Sequence, residues 1–151
     1  MRYALISDIH ANLPALEAVL TDTAGQTGVT GIYHLGDLVG YAPWPDETVA
    51  LIEQSAIPGV AGNYDSTVAT DYKHCGCRYE DPEQEALSHV SYGWIRAHVS
   101  SATKRFLGSL PFRIDILPNG DIWPAPGSCL CTGPQRSTRC TGPRIAPRIS
   151  A

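Results

Sequence analysis

Apolar residues near the start of the chain run without alternation, Tyr3-Ala4-Leu5-Ile6, which predicts a buried parallel strand over 3–7. Leu13, Leu16, Ala18, Val19 and Leu20 then recur at helical spacing with Glu17 outside; Asn12 stands where a cap is needed and Pro14 fits the first turn. Gly25 and Gly28 lead into a second predicted strand, Gly31–Leu35, and a second helix is predicted over Asp46–Gln54, with Val49, Leu51 and Ile52 apolar. A third strand is expected over Ala56–Ala61, weakened by Pro58 and Gly59. Residues 66–80 read as irregular. Asp81 and Pro82 open a helix to about His98 that carries Ala86, Leu87, Val90, Trp94, Ile95 and Val99, and a shorter helix capped by Ser101 follows over Ala102–Leu110. Phe112–Leu117 alternates and Pro118-Asn119-Gly120 is a turn signal, so a hairpin with a return strand from Asp121-Ile122-Trp123 is expected.

Strand, helix, strand, helix, strand implies parallel pairing and a ligand site beyond the strands' carboxyl ends. Each polar cluster falls at such an end: Asp8-Ile9-His10, then Gly36-Asp37 with Gly40, then Gly62-Asn63-Tyr64-Asp65. Asp8 and His10 can grip one metal ion and Asn63 a second, while Asp37, with two oxygens, can bridge them. Carboxylate, imidazole and amide donors suit Mn²⁺, Fe²⁺ or Zn²⁺ better than a thiolate-selected metal. Two ions about 3.5–4 Å apart can clamp an in-line displacement at phosphorus.

Composition changes this picture little. The chain has 151 residues, enough for one domain with a core, and 43% hydrophobic with 17% charged residues is ordinary for a soluble protein. No apolar run approaches the roughly 20 residues that span a bilayer, and the N-terminus lacks a signal-peptide pattern, so a cytoplasmic protein without membrane contact is expected. The net charge of −4 is divided: acidic side chains outnumber basic ones two to one over residues 1–120, whereas residues 121–151 set Asp121 against Arg136, Arg139, Arg144 and Arg148. An acidic body gives no footprint for a nucleic-acid partner. Five cysteines, an odd number, predict free thiols in a reducing compartment. His74-Cys75-Gly76-Cys77 does not have a four-ligand zinc spacing, and thiols in a mobile loop are expected there. His34 is read as structural, and His89 and His98 as surface residues.

The order and spacing of the three turns resemble the calcineurin-like metallophosphoesterases, in particular their small bacterial phosphodiesterases, over residues 1 to about 117. The resemblance implies an α/β fold, a four-layer α/β/β/α sandwich, here incomplete at the C-terminus. It also implies two divalent ions (Mn²⁺, with Fe²⁺, Zn²⁺ or Ni²⁺ as alternatives) and hydrolysis of a small phosphomonoester or phosphodiester by a metal-bound hydroxide. Carried over by position, Asp8 and His10 match ligands of the first metal, Asp37 the bridge and Asn63 a ligand of the second. Tyr64 stands where the family has a histidine that assists the leaving oxygen. Tyr64 or Asp65 is the expected proton donor, with Asn12 as a candidate phosphate contact or, alternatively, only a helix cap. The family's downstream metal-binding histidines have no counterpart, since no histidine follows His98. A non-catalytic binding or scaffold module on the same fold is therefore the competing reading.

Residues 1–120 are read as the N-terminal part of that domain and residues 121–151 as a non-native or disordered tail. The tail is rich in Pro, Arg, Cys, Thr and Gly and has no helical or strand period. Such a break is what a shifted reading frame of a GC-rich gene would produce. Resequencing the locus is expected to find an alternative frame, from about codon 121, that encodes the missing histidine turns; a locus with no such frame refutes the idea.

Overall fold

Two parallel strands set the frame of the computed structural model, which describes residues 1–117 and the backbone of 122–124: β1 (Arg2–Ile6) and β2 (Val29–His34), joined by helix α1 (Leu13–Gly25). The register places Tyr3 opposite Gly31 and Ile6 opposite His34. Helix α1 begins as its sequence requires: Asn12 Oδ1 accepts the Ala15 N–H at 3.2 Å, and Pro14 occupies the first turn, where no N–H is needed. Helices α2 (Pro45–Gln54), α3 (Asn63–Ala69), α4 (Pro82–His98) and α5 (Ser101–Ser109) follow. A hairpin pairs β3 (Ile114–Ile116) antiparallel with β4 (Ile122–Pro124), as the alternation predicted; the turn between them lies outside the described residues, as does the tail beyond 124.

The core gathers one stripe from each element. Leu16 of α1, Leu38 and Val39 after β2, Val49 and Ile52 of α2, Tyr64 and Val68 of α3, Tyr92 and Ile95 of α4 and Leu107 of α5 are all buried. At about 1.5–3 kcal/mol for each large apolar side chain, this burial is what holds three short turns against one another.

Several expectations are corrected. Residues 57–61 run beside β2 but meet it at one parallel bridge, His34 to Gly59. His34 N–H donates to Pro58 O, and Val60 N–H to His34 O; Pro58 has no N–H of its own and Ala61 N–H turns away to Pro111 O, so no ladder forms. Strand β1 is not buried on both faces, since nothing among the described residues covers Leu5, which is 59% exposed. Residues 63–69, expected as a turn and an irregular start, are helical; Asn, Asp, Ser and Thr conceal a helix that the burial of Tyr64 and Val68 stabilises. On α4 the core face is Ser88, Tyr92 and Ile95, whereas Leu87, Val90 and Trp94 face solvent on the neighbouring stripe. His89 and His98 are on the surface as expected. The cap of α5 is Ser100, whose Oγ accepts the Thr103 N–H at 3.2 Å, one residue before the expected Ser101.

His34 is fully buried, and burial lowers its pKa to about 4. The unfolded chain, with a value near 6.5, therefore takes up this proton first, and stability falls as pH drops from about 6.5 towards 4. In EDTA, urea midpoints should show the wild type losing about 2 kcal/mol more than His34→Gln between pH 7 and pH 5. Parallel losses would place the acid sensitivity elsewhere.

Candidate metal centre

The first two turns are an extension of the parallel pair. Asp8 N–H donates to Gly36 O at 3.3 Å, His10 N–H to Asp37 O at 2.9 Å and Ala11 N–H to Leu38 O at 2.8 Å. This lacing holds Asp8, His10, Ala11 and Asp37 at positive φ, between 49° and 57°, a conformation that costs a non-glycine residue roughly 1–3 kcal/mol and persists where surrounding contacts enforce it. The third turn packs so close that a Cβ on Gly62 would run into Asp37 Oδ1, and one on Gly36 into the Gly62 backbone. Glycine is what allows the three turns to converge.

Asp8, His10 and Asp37 each offer one ligand atom, and these atoms lie within 4.8 Å of one another. One polar atom of each side chain is already committed. Ser7 Oγ donates to Asp8 Oδ2 at 2.6 Å, leaving Oδ1 at 3.7 Å from His10 Nε2. His10 Nδ1 is 3.2 Å from Val39 O; a proton there makes Nε2 the lone-pair donor, the arrangement that orients metal-bound imidazoles. Asp37 Oδ1 accepts the Tyr64 N–H at 2.9 Å, which leaves Oδ2. The donor set fits a borderline divalent cation.

Asn63 is at the start of α3, exposed. Its Nδ2 donates to Cys75 O at 3.0 Å and to Cys77 Sγ at 3.4 Å, so its carboxamide oxygen is the uncommitted end. Cys75 is 3% exposed and packs in the core, which corrects the expectation of mobile-loop thiols; Cys75 and Cys77 are both free.

The two expected proton donors are not at the surface of the site. Tyr64 is buried among His10, Tyr41 and Tyr92, with ring centroids 5.3, 5.2 and 5.7 Å away. Its hydroxyl has no hydrogen-bond partner among the described residues, and burial pushes its pKa further above the usual tyrosine value. Asp65 is fully buried, and its carboxylate accepts the N–H groups of Leu38 (2.9 Å), Val39 (3.4 Å) and Gly62 (3.0 Å). Burial raises its pKa to about 6 against those hydrogen bonds, with the Asp37 charge adding to the rise. Asp65 is thus a tie between turns, and Asn12 spends its Oδ1 on the α1 cap. Sequence reasoning missed the supporting Ser7, legible only as a hydroxyl beside Asp8, and Tyr41, half-exposed with its ring 4.7 Å from His10.

Comparison with known proteins adds a lineage. The family model for calcineurin-like phosphoesterases matches residues 1–130. An uncharacterized protein of Methanocaldococcus jannaschii is 37% identical over 118 residues, covering 74% of this chain and 43% of that protein. The crystal structure of a metallophosphoesterase from Sphaerobacter thermophilus is similar at 36% identity and a TM-score of 0.55, covering 78% of this chain and 43% of that one. The chain thus spans less than half the length of either relative.

Removing Asp65 strands buried N–H groups, whereas removing Asp8, an exposed side chain, does not. Asp65→Ala is expected to lose about 3 kcal/mol of metal-free stability and Asp8→Asn less than about 0.5 kcal/mol, as read by urea denaturation in EDTA. Equal losses would contradict this division between a tie and a ligand.

Proposed function

Because the chain belongs to the calcineurin-like phosphoesterases and has the metallophosphoesterase fold, we propose that it carries the first part of a dinuclear, metal-dependent centre for hydrolysing a small phosphoester, a phosphodiester in particular. One observation carries this reading: one ligand atom from each of three side chains converges within 4.8 Å, and one polar atom of each side chain is held by the protein. Asp8 and His10 would hold the first ion, Asp37 would be shared and Asn63 would reach the second. Mn²⁺ is the proposed occupant. Bound divalent ions supply Lewis acidity towards phosphoryl oxygens and a nucleophile at neutral pH.

The chain's own residues contribute rigidity more than proton transfer. Ser7, the Val39 carbonyl and the Tyr64 N–H fix which atom of each ligand faces the centre, so little reorientation remains when charge develops in the reaction. With Tyr64 and Asp65 both buried, neither is in a position to protonate a leaving oxygen. Esters whose leaving group departs without a proton, such as aryl phosphodiesters, are therefore the substrates this arrangement suits.

The purified 151-residue chain is expected to hydrolyse bis-p-nitrophenyl phosphate when Mn²⁺ is added, and Asp37→Ala to lower that rate at least about 100-fold. Tyr64→Phe should leave the rate within about twofold, since the hydroxyl it removes has no partner among the described residues. Equal or absent hydrolysis by wild type and Asp37→Ala would remove the enzymatic reading for this chain and leave the non-catalytic module.

A further inference from the structure

The segment between α3 and α4 places a dithiol directly behind Asn63. Gly76, at φ +81°, curls Cys75-Gly76-Cys77 so that the Cys77 N–H donates to Cys75 Sγ at 3.3 Å. In an extended chain, residues two apart are about 6.6 Å apart at Cα, near the outer limit for a disulfide; the left-handed glycine shortens that span. Cys75 is fixed in the core, its Sγ 3.9 Å from Ser88 Oγ, while Cys77 is partly open to solvent. Cys77 Sγ also accepts from the Asn63 carboxamide.

We propose that Cys75 and Cys77 are a peroxide-sensitive modification site whose oxidation loosens Asn63 and so weakens metal binding. The coupling rests on the reading of Asn63 as a metal ligand; the disulfide itself does not. The solvent-facing Cys77 sulfur takes one oxygen from hydrogen peroxide as a sulfenic acid, and the other oxygen leaves as water. Cys75 sulfur then attacks the Cys77 sulfur: the S–S bond forms, the S–O bond breaks, and the hydroxide takes the Cys75 proton and leaves as a second water. Two thiols lose two hydrogens and one peroxide becomes two waters. The bonded sulfur is drawn towards Cys75 and is a poorer acceptor, so the Asn63 amide loses one of the two contacts that define which end points outward.

Lys73 and Arg78 flank the pair, so both cysteines fall in one tryptic peptide, His74–Arg78. After peroxide this peptide should have lost the mass of two hydrogens and resist alkylation until dithiothreitol is added. Titration of Mn²⁺, read by the electron paramagnetic resonance signal of the free ion, should show affinity falling about tenfold on oxidation and recovering on reduction. Cys77→Ser should bind Mn²⁺ with an affinity that peroxide does not change. A peptide that stays alkylatable overturns the modification site. A clean disulfide with unchanged affinity, in a protein whose Asn63→Ala variant binds more weakly, overturns the coupling. If Asn63→Ala binds as tightly as wild type, the reading of Asn63 as a ligand fails, and the coupling with it.

Discussion

Asp65 is the interaction on which the rest of the site depends. A carboxylate with no exposure is costly, and here it is compensated by three backbone N–H groups, two from the turn after β2 and one from the turn that opens α3. Those turns carry Asp37 and Asn63. The Tyr64 N–H to Asp37 contact adds a second tie in the opposite direction, from the third turn to the second. Without both ties, the glycines that let the backbones approach would also let them separate.

The same economy governs the ligands. A metal-binding side chain with two equivalent polar atoms can present either of them, and each free choice reduces affinity by the entropy of making it. In this chain one polar atom of each candidate ligand is already held by the protein: by Ser7 for Asp8, by the Val39 carbonyl for His10, by the Tyr64 amide for Asp37 and by the Cys75 carbonyl with the Cys77 sulfur for Asn63. The positive φ values at Asp8, His10 and Asp37 belong to the same design, since a relaxed backbone would point these side chains elsewhere.

Much of this was legible in the sequence, and the parts that were not share a cause. Asp8, His10 and Asp37 could be placed together because strand ends and glycines are local signals, and the caps at Asn12 and Asp81 were legible for the same reason. The structure assigns Asp65 and Tyr64 differently, because a carboxylate or phenol beside a candidate ligand reads as chemistry until its burial is known. Helix α3 was hidden by residues whose side chains favour turns, and the exposed side of α4 by the fact that hydrophobic spacing allows two adjacent stripes and only packing chooses between them. The missing ladder at residues 57–61 was half visible, since Pro58 announced a strand that could not donate.

Tyr64 shows how far one such reassignment reaches. At the position where the resemblance implies a histidine, the buried ring of Tyr64 packs edge-on against His10 and Tyr92. Its contribution is geometric: its ring packs against the His10 ring and its backbone N–H donates to Asp37. A phenol in that place cannot take over the imidazole's proton chemistry, because burial raises rather than lowers its pKa. On the function proposed above, a centre built this way would draw its rate from charge stabilisation and positioning, so that the precision of the ligand supports, and not the acidity of any side chain, would be the quantity on which its chemistry turns.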